Sequence, residues 1–288
     1  PRAVVEVAGP DAATFLNGIT SNDVARVDAE TAVWTAFLTA QGKFLHEFHV
    51  VHGGPERLWL DVEAGRRDPL VKRLSLYKLR SRVSLTPRDD LAAVALLGER
   101  ALGLLDLPAL EGYARPLGGG VAFTEPRLAR LGGRAILPRD GLADTLTELG
   151  FALGSLADYD RLRLSLGIPD GSRDLDVEKA TLIESGFDEL HGISWEKGCF
   201  LGQELTARMK YRGLAKKRLV PVRLDGPTPP PGTELRRNGK SAGTLRSAVD
   251  GLGLALLRLD QLDAEATRAG FTAEEARAYP EKPDWAAF

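Results

Sequence analysis

An α+β fold with a duplicated split β-α-β core and a small C-terminal β-barrel is predicted by three observations: strand-then-helix segments that recur in the same order, a change to short alternating strands near residue 216, and an Asn-Gly hairpin signal inside that second stretch. Val4-Val5-Glu6-Val7 reads as a strand, Gly9-Pro10 as a turn, and Asp11 as the cap of a helix bearing Phe15 and Leu16. The strand Ala93 to Leu97, then Gly98 and a helix with Leu104 and Leu105, repeats the glycine and the apolar pair 89 positions downstream. A second kind of unit runs from Leu58-Trp59-Leu60 into Leu70, Leu74 and Tyr77, and its counterpart runs from Ala135-Ile136-Leu137 into Leu142, Leu146 and Leu149. Two such pairs suit antiparallel sheets covered by helices on one face.

From Val220 the pattern changes. Val220, Val222 and Leu224 share one face of a strand, Pro229-Pro230-Pro231-Gly232 interrupts, and Asn238-Gly239 joins Glu234-Leu235-Arg236 to Ala242-Gly243-Thr244-Leu245 as a hairpin. Leu252 to Leu257 supplies a further buried strand. The expected division is therefore 1–215 and 216–288. The tail 261–288, rich in Ala and Glu and carrying Pro280 and Pro283, shows no element by pattern.

With 288 residues and 43% hydrophobic content the chain can bury substantial cores. A net charge of -2 and a pI near 6.2 argue against whole-chain attraction to nucleic acid or anionic membrane, so any polyanion site must be local. No stretch approaches the roughly 18 apolar residues of a membrane span. One cysteine excludes an internal disulfide, and with no secretory leader visible the expected setting is a reducing cytoplasm.

That one cysteine lies in Lys197-Gly198-Cys199-Phe200-Leu201-Gly202-Gln203-Glu204, followed by Arg208 and Arg212-Gly213. A lone cysteine is often just a small buried hydrophobe. Here Lys197 places a cation nearby, two glycines allow close backbone approach, and a helix from about Gly202 would turn its positive end toward Cys199, all of which favour a thiolate.

The segment resembles the signature of the YgfZ family, folate-binding proteins related to the T-protein (aminomethyltransferase) of the glycine cleavage system and to mitochondrial proteins of iron-sulfur maturation. Phe15-Leu16, five residues, then Asn22-Asp23-Val24 is similar to an N-terminal motif of that superfamily, as is Gln41-Gly42-Lys43-Phe44. Asp160 to Pro169 resembles its central motif, and Gly192-Ile193-Ser194-Trp195 leads into the cysteine segment as the family has it. The likeness extends in order over about residues 3 to 258. It implies a duplicated ferredoxin-like, aminomethyltransferase-type core that binds tetrahydrofolate, followed by a β-barrel.

The resemblance implies that three regions meet around a reduced folate. Asn22 and Asp23 form the first, although both also suit an ordinary turn. Tyr159 and Arg163 form the second, as a stacking ring and a carboxylate partner, with core packing as the alternative for Tyr159. The third is the cysteine segment with Trp195, where Cys199 would be the reactive thiol, Lys197 would lower its pKa, Gln203 would bond the ligand or hold the loop, and Glu204 with Arg208 would form an orienting pair or a mere surface pair.

Two acid-poor clusters, Arg66 to Arg82 and Arg208 to Arg223, suggest contact with a polyglutamylated folate tail or with RNA. His46, His49 and His52 alternate across a strand and do not make a metal trio. Aligned with the T-protein, the active-site aspartate falls at His46, with Glu47 on the opposite face, and the pterin-binding glutamate falls at Ser165. These departures leave enzymatic activity open. The reading they favour is a cytoplasmic folate-binding factor in iron-sulfur cluster assembly or repair, with consequences for tRNA modification, whose partners are folate, iron-sulfur client or assembly proteins, tRNA or tRNA-modifying enzymes, and not a membrane. The alternatives are a tetrahydrofolate-dependent aminomethyltransferase and a non-enzymatic RNA-binding scaffold.

Overall fold

The valine-rich start of the chain forms strand β1 (Arg2–Ala8) in the computed structural model, which describes residues 1–288. Helix α1 (Ala12–Ile19) follows, burying Phe15 and Leu16. Next come β2 (Val33–Leu38), β3 (Phe44–Gly54), β4 (Arg57–Glu63), helix α2 (Arg67–Tyr77) with Leu70 and Leu74 inward, and β5 (Ser84–Pro87). The five strands make one sheet in the order β2-β3-β4-β1-β5. Antiparallel pairing sets Val5 opposite Leu60 and Val7 opposite Leu58.

The same plan then repeats. Strand β6 (Leu91–Leu96), helix α3 (Ala101–Leu104), β7 (Ala114–Leu117), β8 (Gly120–Thr124), β9 (Gly133–Pro138) and helix α4 (Leu142–Glu148) give a four-stranded sheet in the order β6-β9-β8-β7. In each repeat the opening strand lies beside the strand that precedes the second helix, β1 by β4 and β6 by β9, which is the expected duplicated split β-α-β. The second copy is one strand short, because after α4 the chain leaves without a counterpart of β5. Val4, Val51 and Trp59 of the first sheet pack with Leu91, Val121, Phe123 and Ile136 of the second. The second sheet's other face is closed by Leu105, Leu142 and Leu146, so each sheet has one face to its neighbour and one to helices.

Within that sheet-to-sheet layer sits a cluster of buried charge. Arg2 bonds Asp61 at 2.6 Å and Glu47 at 2.8 Å. Arg134 bonds Asp61 at 2.6 Å, and Arg127 grips Glu125 through two bonds of 2.8 Å. His49 Nε2 lies 3.0 Å from Glu125 and its Nδ1 3.5 Å from Asp61. Trp34 Nε1 donates to Glu47, and the Arg127 guanidinium lies over the Trp34 ring at 5.3 Å. Burial alone would raise both carboxyl pKa values, but Arg134 and Arg2 hold Asp61, and Arg127 with His49 holds Glu125, well below the usual carboxylate range.

Contacts divide the chain into two compact units: 1–40, 45–153 and 190–203 in the first, and 41–44, 154–189 and 204–288 in the second. A single cut at 215 thus misses that 154–189 belongs with the barrel, whereas 190–203 belongs with the sheets. In the second unit, helix α5 (Leu156–Ser165) opens on a capping box, Ser155 with Asp158, and is followed by α6 (Gly171–Asp174). Helix α7 (Gln203–Tyr211) then leads to β10 (Lys217–Asp225), β11 (Glu234–Arg237), β12 (Lys240–Val249) and β13 (Leu252–Arg258). Asn238 and Gly239 adopt φ of 50° and 76°, the left-handed pair that a tight hairpin between β11 and β12 requires.

The barrel closes in the order β10-β13-β12-β11-β14-β15, using α8 (Ala264–Ala269), β14 (Phe271–Ala273) and β15 (Ala276–Pro280). The tail left unassigned by sequence is therefore what seals the barrel. Its strands of 3 and 5 residues are too short to display alternation.

Removing Glu125 leaves Arg127 and Arg134 buried without their shared acid, so Glu125→Ala should cost about 3–5 kcal/mol in chemical denaturation. Burial, with Arg66 and Arg73 nearby, pushes His46 down to about 3 from 6.5. Between those values the folded state binds fewer protons than the unfolded chain, so stability falls on acidification. His46→Phe should flatten that decline by about 2.5 kcal/mol between pH 7 and pH 4.5, and an unchanged pH profile would refute the assignment.

Candidate functional site

Helix α1 ends at Ile19, and the turn after it is held by its own side chains: Thr20 Oγ1 donates to Leu16 O, and Ser21 exchanges bonds with Ala36 through N–H and Oγ. Asn22 receives no solvent-facing role. Its Nδ2 donates to Trp34 O at 2.8 Å and His191 O at 2.7 Å, while its Oδ1 accepts from the Asp23 N–H.

The cysteine segment is laid against this turn by six hydrogen bonds. Besides Asn22 to His191, Ser21 Oγ donates to Gly192 O at 2.6 Å, Ser194 N to Ser21 O at 3.0 Å, and Leu201 N to Gly18 O at 3.2 Å. Lys197 Nζ supplies the last two, to Thr20 O and Asn22 O, both at 2.6 Å. The first and third predicted regions therefore meet, over a sequence separation of more than 160 residues.

Cys199 stands exposed on this strap. Before it, Gly198 has φ +90° with open space where a side chain would start, so glycine is needed there for backbone conformation and leaves the main chain uncovered. After it, Phe200 is buried at 7% exposure and anchors the strap. The Phe200 N–H bonds Gln203 Oε1 at 3.0 Å and Gln203 N returns to Phe200 O, which starts α7 as the sequence suggested.

Lys197 differs from expectation. Its ammonium is directed to two carbonyls and over the Phe200 ring at 5.4 Å, because a half-buried cation must be hydrogen-bonded. Burial pushes it down to about 8, with the Asp23 charge acting the other way. It fastens the strap that presents the thiol. Asp23 accepts from Ala25 N as the cap of a short turn, the ordinary reading of that residue. Trp195 is half-buried and Gln203 likewise, so both retain surface.

Tyr159, Arg163, Glu204 and Arg208 belong to the second unit. Tyr159 is half-buried on α5. Arg163 is fully buried and bonds Asp160 at 2.5 Å and Asp174 at 2.7 Å, so its carboxylate partners are internal; Asp174 also takes the Ser247 hydroxyl from β12. Burial raises the Asp174 pKa despite Arg163. Glu204 and Arg208 are 3.8 Å apart and exposed, the surface pair rather than the orienting one.

His46, where the sequence alignment expects a catalytic aspartate, is buried, packed with Phe37 at 6.5 Å, and neutral at physiological pH; Glu47 points to the other face and is bound by Arg2 and Trp34. Ser165 is exposed and donates to Leu162 O. His49 faces opposite to His46, as strand alternation requires. The basic clusters are partly cancelled, with Arg67 on Asp89, Arg82 on Asp11, Lys210 on Asp188 and Arg218 on Glu189. Sequence reasoning missed Ser21 and the whole buried charge cluster. Its one legible signal was Arg134 in the otherwise apolar strand β9.

Residues 3–109 match the family described as GCVT N-terminal domain, and residues 216–288 match CAF17, C-terminal beta-barrel domain. The chain is 35% identical to the mitochondrial iron-sulfur cluster assembly factor IBA57 of Mus musculus over 91% of this chain and 76% of that protein. It is 33% identical to the protein of the same name from Homo sapiens over 99% and 83%. Among solved structures, the glycine cleavage system aminomethyltransferase T from Bartonella henselae matches with TM-score 0.79 at 17% identity, over 98% of this chain and 82% of that one, which establishes the aminomethyltransferase-type fold. The relatives carry the IBA57 name rather than that of YgfZ, and they correct the cytoplasmic expectation, since they are named as mitochondrial. A lone free cysteine rules out an internal disulfide and says nothing of the compartment.

One equivalent of thiol should react with a disulfide reagent in the folded protein at a rate close to that of the denatured chain, and none in Cys199→Ser. Protection by a factor of a hundred or more in the native state would contradict the exposed position.

Proposed function

The chain belongs to the family of the IBA57 iron-sulfur cluster assembly factors, and on that premise we propose that it acts in iron-sulfur cluster assembly or repair by presenting Cys199 to a cluster or to a client protein. The observation that carries the reading is the exposed thiol on a strap clamped by Lys197, Asn22 and Ser21. A single thiolate cannot complete the usual four-cysteine ligation, so a cluster held here would be shared with a client or assembly protein as cargo. Effects on tRNA modification would follow where the modifying enzymes are themselves iron-sulfur clients.

Tetrahydrofolate is the ligand that the fold family implies. The residues fit recognition better than chemistry: half-buried Trp195 and Gln203 supply an aromatic and an amide of the kinds that meet a flat heterocycle, whereas Asn22 and Arg163 are engaged internally. Neither His46 nor Glu47 is disposed as a catalytic acid, which supports a folate-binding factor over an aminomethyltransferase.

Reduced folate should quench tryptophan fluorescence, and Cys199→Ser should leave that quench intact while lowering rescue of iron-sulfur enzyme activity in depleted cells at least tenfold. Full rescue by the serine variant would remove the thiol from the mechanism. Turnover of a methylamine donor with tetrahydrofolate would restore the transferase reading.

A further inference from the structure

A cleft of about 520 Å³ lies wholly within the second unit, and none of its lining residues belongs to the cysteine strap. Its floor is apolar, formed by Leu205 and Met209 of α7, Leu219 of β10 and Leu256 of β13. Its wall is cationic, with Lys43, Lys179, Lys216, Lys217 and Arg246.

The acids in the cleft are already engaged. Asp176 is bound by Arg246 through two bonds of 2.8 Å, and Asp174 by Arg163 and Ser247. Glu184 accepts from the backbone N–H groups of Lys216 and Lys217, each at 3.2 Å, and from Thr181 Oγ1 at 3.0 Å. Glu184 thereby fixes the main chain of the two lysines without touching their ammonium groups, and Leu219 N–H to Glu184 O holds the next turn. Lys179, Lys216 and Lys217 are exposed and make no ion pair with a carboxylate.

We propose that this cleft binds a small organic phosphate, its body on the apolar floor and its phosphates on Lys179, Lys216 and Lys217. The volume falls within the roughly 300–1,000 Å³ usual for small-molecule sites. Phosphate is favoured over carboxylate because the uncommitted cations are lysines, which meet phosphate as point charges, while Arg246, the fork suited to a planar carboxylate, is already paired with Asp176.

The test is calorimetric titration of the full chain with adenosine triphosphate without metal, with inorganic tripolyphosphate, and with a tetraglutamate peptide. The nucleotide should bind at least tenfold tighter than either other anion. The triple variant Lys179→Ala, Lys216→Ala, Lys217→Ala should weaken it at least tenfold at an unchanged thermal midpoint, and its Lys→Arg equivalent should keep most of the affinity. Cys199→Ser should bind it like the parent, which separates this site from the thiol's role. Absent binding, equal affinity for tripolyphosphate or tetraglutamate, or an unaffected triple alanine variant would overturn the proposal.

Discussion

The first unit is organised by one constraint: Asp61 and Glu125 are ionised and sealed from solvent, so the arginines around them cannot be dispensed with. Arg2 and Arg134 converge on Asp61, and Arg127 and Arg134 on Glu125. Burying charge is costly unless it is paired and hydrogen-bonded, which makes the cluster a poor source of net stability but a strict condition on geometry. It spans strands from both repeats and so ties the two sheets together through Asp61 and Arg134.

The same cluster fixes the surroundings of Glu47. Glu47 is bound by Arg2 and Trp34 on the inter-sheet face. Its neighbour His46 lies on the other face, dehydrated and neutral. An acidic side chain locked in a buried ion pair has no free proton to exchange with a ligand. The one thiol of this unit lies instead at its surface, on a segment that returns after 36 residues assigned to the other unit.

That strap shows how polar residues can turn a segment outward by bonding to main chain alone. Ser21, Asn22 and Lys197 direct their hydrogen-bonding groups to main chain, and in doing so they place Gly198 and Cys199 outward. The second unit applies the same device in its cleft, where Glu184 binds the backbone of two lysines and leaves their side chains free to face an anion.

Sequence alone determined the repeated strand-helix units and the barrel hairpin, but not the tail elements from 264 to 280. The repeated strand-glycine-helix spacing, the Asn238-Gly239 turn and the Lys197-Gly198-Cys199 segment are local features, each set by a few neighbouring residues, and the duplicated core, the barrel and the aminomethyltransferase-like superfamily follow from them, whereas the relatives place the chain with IBA57 rather than YgfZ. Tertiary structure decided what each polar side chain does. Arg163 reads as a ligand contact and is an internal ion pair; Lys197 reads as a partner of the sulfur and is a clamp on two carbonyls; the tail from 261 shows no element by pattern and closes the barrel. A side chain's pattern of neighbours along the chain fixes its secondary structure, but its hydrogen-bond partners lie tens to hundreds of residues away, and only folding brings them within reach.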